Sequence, residues 1–191
     1  MFIQTEQTPN PNAIKFIPGM KVASSPQHFT ETADAKKSFL VQTLLNTKYI
    51  KEVFLGAEFI TVTKENESDW EILKPEVIMI IMNHITSGLP IIEESDEQKD
   101  DLTEDNATNK ATGYSKIEQE IIEIIETRVR PAVSMDGGDI IYQSFEDGVV
   151  KLQLHGACSG CPSSTITLKN GIESMLKHYI PEVKEVQAVD N

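Results

Sequence analysis

The 191 residues include 17 basic and 30 acidic side chains, a formal net charge of −13, with 39% hydrophobic and 6% aromatic content. That length holds one ordinary domain or two small ones. The acidic balance argues against a generic nucleic-acid binder or an anionic membrane surface, because both need cations to spare, and no apolar run approaches the roughly 20 residues that span a bilayer.

The chain opens on Met1 to Pro11 (MFIQTEQTPNP) with no basic stretch followed by an apolar core, so no secretory leader is expected. Phe2 to Thr5 reads as a strand, Pro9 to Asn12 as a turn, and Ala13 to Phe16 as a second strand closed by Pro18-Gly19. Asp34 to Leu45 has Phe39, Leu40, Val41, Leu44 and Leu45 at helical spacing. Val53 to Leu55 and Glu58 to Thr63 follow as a hairpin turning at Gly56. Trp70 to Ser87 then predicts a helix stopped by Gly88. This half has no cysteine, and its histidines, His28 and His84, have no second ligand at metal spacing. It states no chemistry of its own.

Charge is unevenly spread. Residues 1–92 hold eight Lys and ten acids, while the fourteen from Glu93 to Asn106 (EESDEQKDDLTEDN) hold eight acids and one Lys. With only Leu102 as a large apolar side chain, this stretch reads as a solvated tether that lets the halves move independently. Taken as residues 93–113, it spans roughly 25 Å as a flexible coil.

The second half begins with a capping box, Ser115 and Glu118, before an apolar stripe at Ile117, Ile121, Ile124, Ile125 and Val129, with Pro131 as the expected end of that helix. Asp136-Gly137-Gly138-Asp139 reads first as a turn. Ile140 to Phe145 and Val149 to His155 form a hairpin about Glu146-Asp147-Gly148. Pro162 leads a helix with Ile166, Ile172, Met175, Leu176 and Tyr179 inward, Pro181 stops it, and Val183 to Val189 completes the sheet. The predicted fold class is α+β: two small α/β domains, 1–92 and 114–191, joined by the acidic linker 93–113, the second ordered helix, strand, strand, helix, strand.

The only cysteines, Cys158 and Cys161, lie in GACSGCPSS (Gly156 to Ser164), between a strand end and a helix start. The backbone amides and dipole of that helix predict thiols that ionise more readily than usual. Gly156, Ala157, Ser159 and Gly160 leave the backbone open to a bulky inorganic centre and a second chain. Two sulfur ligands suit zinc or an iron–sulfur cluster, yet each takes four. His155 falls on the strand face opposite Leu154 with no second histidine near, a weak ligand candidate. Two copies facing across a two-fold would bring four thiolates together. A lone CxxC is also used by dithiol oxidoreductases and by zinc-stabilised interaction modules, and both remain as alternatives. No GxxxxGK[ST] loop is present, and the paired acids Glu93-Glu94 and Asp100-Asp101 sit in the tether, so no other active site emerges.

Context narrows the choice. Arg130-Pro131-Ala132, Met135 to Asp139 (MDGGD), VVKLQLHGACSGCPSSTITLKNGIESML and Ile180 to Val183 (IPEV) closely resemble the C-terminal domain of the NifU family. TPNPNAIKFIPG (Thr8 to Gly19), VFLGAEFITVTK (Val53 to Lys64), Trp70, LKPEVIMII (Leu73 to Ile81) and SGLPI (Ser87 to Ile91) resemble the N-terminal domain of its Nfu-type members. Ser38 to Val41 and Tyr49-Ile50 depart from the family's usual Ser-Pro-Leu-Ala and Gly-Val. The resemblance implies a non-enzymatic iron–sulfur cluster scaffold and carrier. It would hold a [4Fe–4S] cluster, or a [2Fe–2S] form, through Cys158 and Cys161 of a homodimer, receive it from an upstream donor and deliver it to apo iron–sulfur proteins. It also implies that the Asp136 to Asp139 loop lies beside the cluster. The expected location is a bacterial cytoplasm, or the mitochondrial matrix for a processed organelle form.

Overall fold

The computed structural model describes residues 2–93, 114–159 and 162–189, with side chains of 162–165 left aside. Most of the tether and Cys161 therefore lie outside the described residues.

In the first half, β1 (Gln4–Gln7), β2 (Ala13–Ile17), β3 (Gln27–Phe29), β4 (Ile50–Leu55) and β5 (Ile60–Lys64) form an antiparallel sheet ordered β1-β2-β5-β4-β3. Helices α1 (Phe39–Leu45) and α2 (Trp70–Thr86) cover one face. The strand period explains this: Ile14 and Phe16, Val53 and Leu55, and Ile60 and Val62 all point to the helices and meet Leu40, Val41, Leu44, Val77 and Ile81. Several details depart from expectation, among them β1 at Gln4–Gln7 in place of Phe2 to Thr5 and β4 starting at Ile50 in place of Val53. Gln27–Phe29 pairs with β4 as an edge strand, and α1 starts only at Phe39 because Ser38 caps it, accepting from the Val41 N–H at 3.2 Å.

In the second half, α3 (Lys116–Ile124) starts at the predicted capping box, with both the Ser115 and Glu118 bonds in place. Pro131 does not end the helix. The chain widens into a π turn at Ile125–Val129, where the Arg130 N–H reaches back to the Ile125 carbonyl, and continues as α4 (Arg130–Met135). Proline lacks an N–H and crowds the preceding turn, and the wider turn accommodates both defects. It also keeps Ile121, Ile125, Val129 and Val133 on one buried stripe.

The predicted hairpin follows as β6 (Gly138–Glu146) and β7 (Val149–Gly156). Helix α5 (Pro162–Tyr179) then crosses over to β8 (Glu185–Val189), which pairs parallel to β7. Ile172 and Leu176 point into this core as expected, while Ile166 and Tyr179 are exposed. Tyr179 carries the Arg128 guanidinium over its ring at 4.8 Å and bonds it through its hydroxyl at 3.0 Å. None of the described helices is long and apolar enough to cross a membrane.

Candidate functional site at the Cys158 loop

Strand β7 ends at Gly156 in a left-handed conformation (φ 66°), and the chain turns through Ala157, Cys158 and Ser159. The Ser159 N–H closes the turn on the Gly156 carbonyl at 3.0 Å, and the Ala157 N–H donates to the Gly137 carbonyl at 3.2 Å. That second bond ties the cysteine loop to the Asp136–Asp139 loop between α4 and β6.

Glycines make this approach possible. A Cβ on Gly138 would lie 2.7 Å from Cys158 Sγ and 2.7 Å from the His155 carbonyl, and a Cβ on Gly156 would lie 2.6 Å from the Gly137 carbonyl. Gly137 itself is left-handed (φ 83°), so the turn reading of this motif holds, and the turn lies against the Cys158 loop. Asp139 is buried and held by a two-pronged pair with Arg130, Nε to Oδ1 at 2.7 Å and Nη2 to Oδ2 at 3.0 Å. Arg130 Nη1 also takes Glu126 at 2.8 Å. Planar guanidinium geometry thus braces the loop from the far end of the π turn.

Cys158 itself is buried, 7% exposed, within the core of the second half. Burial, with the nearby Asp136 and Asp139 carboxylates, pushes its thiol up to about 12. This corrects the expected easy ionisation. Cys158 sits four residues before α5 begins at Pro162, in a desolvated pocket beside acids, so loss of hydration outweighs any help from the helix terminus. Cys161, the other predicted ligand, lies outside the described residues.

His155 is also placed, against the first half. Its ring faces His28 of the first half, the two Nδ1 atoms 3.1 Å apart, and burial followed by the His28 charge lowers its pKa. His28 Nε2 in turn lies 3.4 Å from Glu52 Oε2. Among the described residues no three acid, cysteine or histidine side chains are grouped to hold a metal ion. His84, expected as a plain helix residue, is buried with Nε2 at 3.0 Å from the Pro90 carbonyl.

Sequence reasoning missed that the first half sits on this loop. Thr61 Oγ1 donates to the Gly137 carbonyl at 2.6 Å, Lys15 Nζ to the Met135 carbonyl at 3.0 Å and Asn10 Nδ2 to the Ser159 carbonyl at 3.3 Å. Ser159 Oγ donates to Glu52 Oε2 at 2.8 Å. Phe54 covers Gly156, where an added Cβ would come within 3.1 Å of its ring. Burial would raise the Glu52 carboxyl, but hydrogen bonds from His28, Lys51 and Ser159 more than offset it and bring it down to about 2.

Fold and site together define a two-domain α+β protein whose distinctive chemistry lies in one thiol-bearing loop. The family model "Scaffold protein Nfu/NifU N terminal" matches residues 3–88, and "NifU-like domain" matches 121–187. The chain is 47% identical over 191 residues to the human NFU1 iron-sulfur cluster scaffold homolog, mitochondrial, covering 99% of this chain and 72% of that one. The relative of the same name in Drosophila ananassae is 43% identical over 192 residues, with 99% and 64% covered. A solution structure of a NifU-like protein from Saccharomyces cerevisiae overlays 50% of this chain and 87% of its own at 25% identity, TM-score 0.45. The chain belongs to the Nfu/NifU family of iron–sulfur cluster scaffold proteins.

Proposed function

We propose that Cys158 and Cys161 each supply a thiolate to a [4Fe–4S] cluster shared by two copies of the chain, which is then passed to apo-proteins without catalysis by the chain itself. The observation carrying this reading is the Gly138 contact: a second, glycine-bearing turn is packed directly on the Cys158 sulfur, so the thiol sits where two backbone turns meet at the end of a strand. A chain offering two of four ligands needs a second copy, and a cluster held at an interface leaves when the interface loosens. The same thiols would serve a [2Fe–2S] form. Metal binding to protonated thiols releases their protons, so a raised thiol pKa makes capture dependent on the incoming metal.

The competing dithiol reading is weakened by the same burial, because a thiol pushed up to about 12 is a poor nucleophile at neutral pH. The proposed division is a recognition and cover domain at 1–92, a linker at 93–113 and the cluster domain at 114–191. The matched relatives are mitochondrial by name, which supports a mitochondrial location for this chain and gives no support to the bacterial cytoplasm.

Anaerobic reconstitution with iron and sulfide, followed by native mass and metal analysis, tests the reading. The expected product is a dimer with about four irons, lost in Cys158→Ser and in Cys161→Ser. Zinc as the only tightly held metal, or a monomer retaining a complete cluster, would overturn it.

A further inference from the structure

The contacts made by the first half come from one continuous surface. Across its sheet, His28 pairs with Phe54, Phe54 with Thr61, and Thr61 with Lys15, a row running through four strands on the face opposite α1 and α2. Glu52 lies on the same face two residues from Phe54. Alone, this would be the solvated side of a half-buried antiparallel sheet. Here Thr61 is 1% exposed, Phe54 2% and Glu52 6%. Their partners are concentrated in two short stretches of the second half, Met135 to Gly137 and His155 to Ser159, which include the Cys158 loop.

We infer that this sheet face is a docking surface for the chain's own cysteine loop, and that it caps the loop in the cluster-free state. The inference rests on the cluster reading above. A cluster shared by two chains must be reached from outside the loop, whereas Phe54 lies against Gly156 and Glu52 and Asn10 both hold Ser159, directly beside Cys158. The same loop backbone cannot face both the sheet and a second copy. Cap and cluster dimer are therefore alternative states, and loading drives the first half off the loop. The interface suits release. It is held mainly by polar bonds around one aromatic ring, and once parted its polar groups regain water.

Hydrogen–deuterium exchange on the full chain, read over residues 135–159, tests this together with small-angle scattering. Thr61→Arg places a long cation where only a hydroxyl fits. It is expected to speed exchange in that segment about tenfold in the cluster-free chain and to increase the radius of gyration. Thr61→Ser keeps the donor and should behave as the parent. Lys15→Glu at the rim, which removes the bond to Met135 while leaving the helix-side core untouched, should open the chain in the same direction. Reconstituted parent chain should show the first half released.

Parent-like exchange in both Thr61→Arg and Lys15→Glu would overturn the cap. So would a loaded dimer whose first half stays as protected as before. If the variants open the cluster-free chain but no cluster forms on any of them, the docking surface stands and the cluster reading falls.

Discussion

Gly138 shows how a single missing methyl group shapes the site. Its neighbours on both sides of the added Cβ are close: a sulfur and a main-chain carbonyl, each at 2.7 Å, and the carbonyl belongs to β7 and cannot swing away. Gly138→Ala is therefore expected to cost about 1–3 kcal/mol through overpacking and to lower the iron bound per chain. Gly171 is the matched control, since it lies inside α5 with nothing within 4 Å of an added Cβ. Gly171→Ala should leave iron content unchanged and stabilise by about 0.5–1 kcal/mol through helix propensity. Thermal melts and metal analysis of the two proteins separate the effects. At this scale the cysteines, the capping box and the glycine-rich motif were legible in the residues. The protonation of Cys158 was not. It depends on burial and on two carboxylates brought near by folding, and local sequence beside a helix start pointed the other way.

Among the elements, periodicity located most strands and helices, and it failed where tertiary pairing or backbone defects decide. Gln27–Phe29 has three residues and no alternation long enough to register, yet it supplies His28 to the interface. Pro131 reads as a stop because one residue's chemistry says so. The π turn ahead of it keeps the helix running and delivers Arg130 to Asp139.

The β3 to β7 contact has a pH consequence. Two facing Nδ1 atoms share one hydrogen bond, so the pair cannot dock with both rings protonated. His155 has its pKa lowered by burial and by His28, and Asp139 and Glu52 only partly counter this. Its contribution to docking is thus fully present above its ordinary value of 6.5 and is lost as pH falls below that value. Glu52 is brought down to about 2 mainly by His28 and Lys51 of its own half, so that shift persists in the open chain and is not a docking term. The expected outcome is a closed chain at pH 8 that opens progressively below about pH 6.5, followed by scattering. His155→Gln should remove that dependence. A radius of gyration flat from pH 8 to 5 in the parent would contradict the assignment.

For the whole molecule, the sequence showed two domains with nearly balanced charge around an acidic tether, but gave little sign that the domains meet. The reason is physical. Thr61 and Lys15 alternate with apolar residues as the wet side of any antiparallel sheet does, and the one local sign of a covered face is Phe54, which makes Val53-Phe54-Leu55 an unbroken apolar run. Docking gives the first half a role that follows from its lack of ligands: it controls access to a site it does not contain. A chain lacking residues 1–92 should then take up iron and sulfide faster, by roughly tenfold for each 1.4 kcal/mol of docking free energy removed, because the competent state no longer has to be released first. If the same face, once freed, also guides the loaded protein to its clients, that truncated chain should deliver the cluster more slowly to at least some of a panel of apo-proteins while loading faster. Stopped-flow absorbance of loading and timed activation of each apo-protein measure the two rates separately. Faster loading with unchanged delivery across the whole panel would restrict the first half to covering the loop, and slower loading would mean that it helps to build the site.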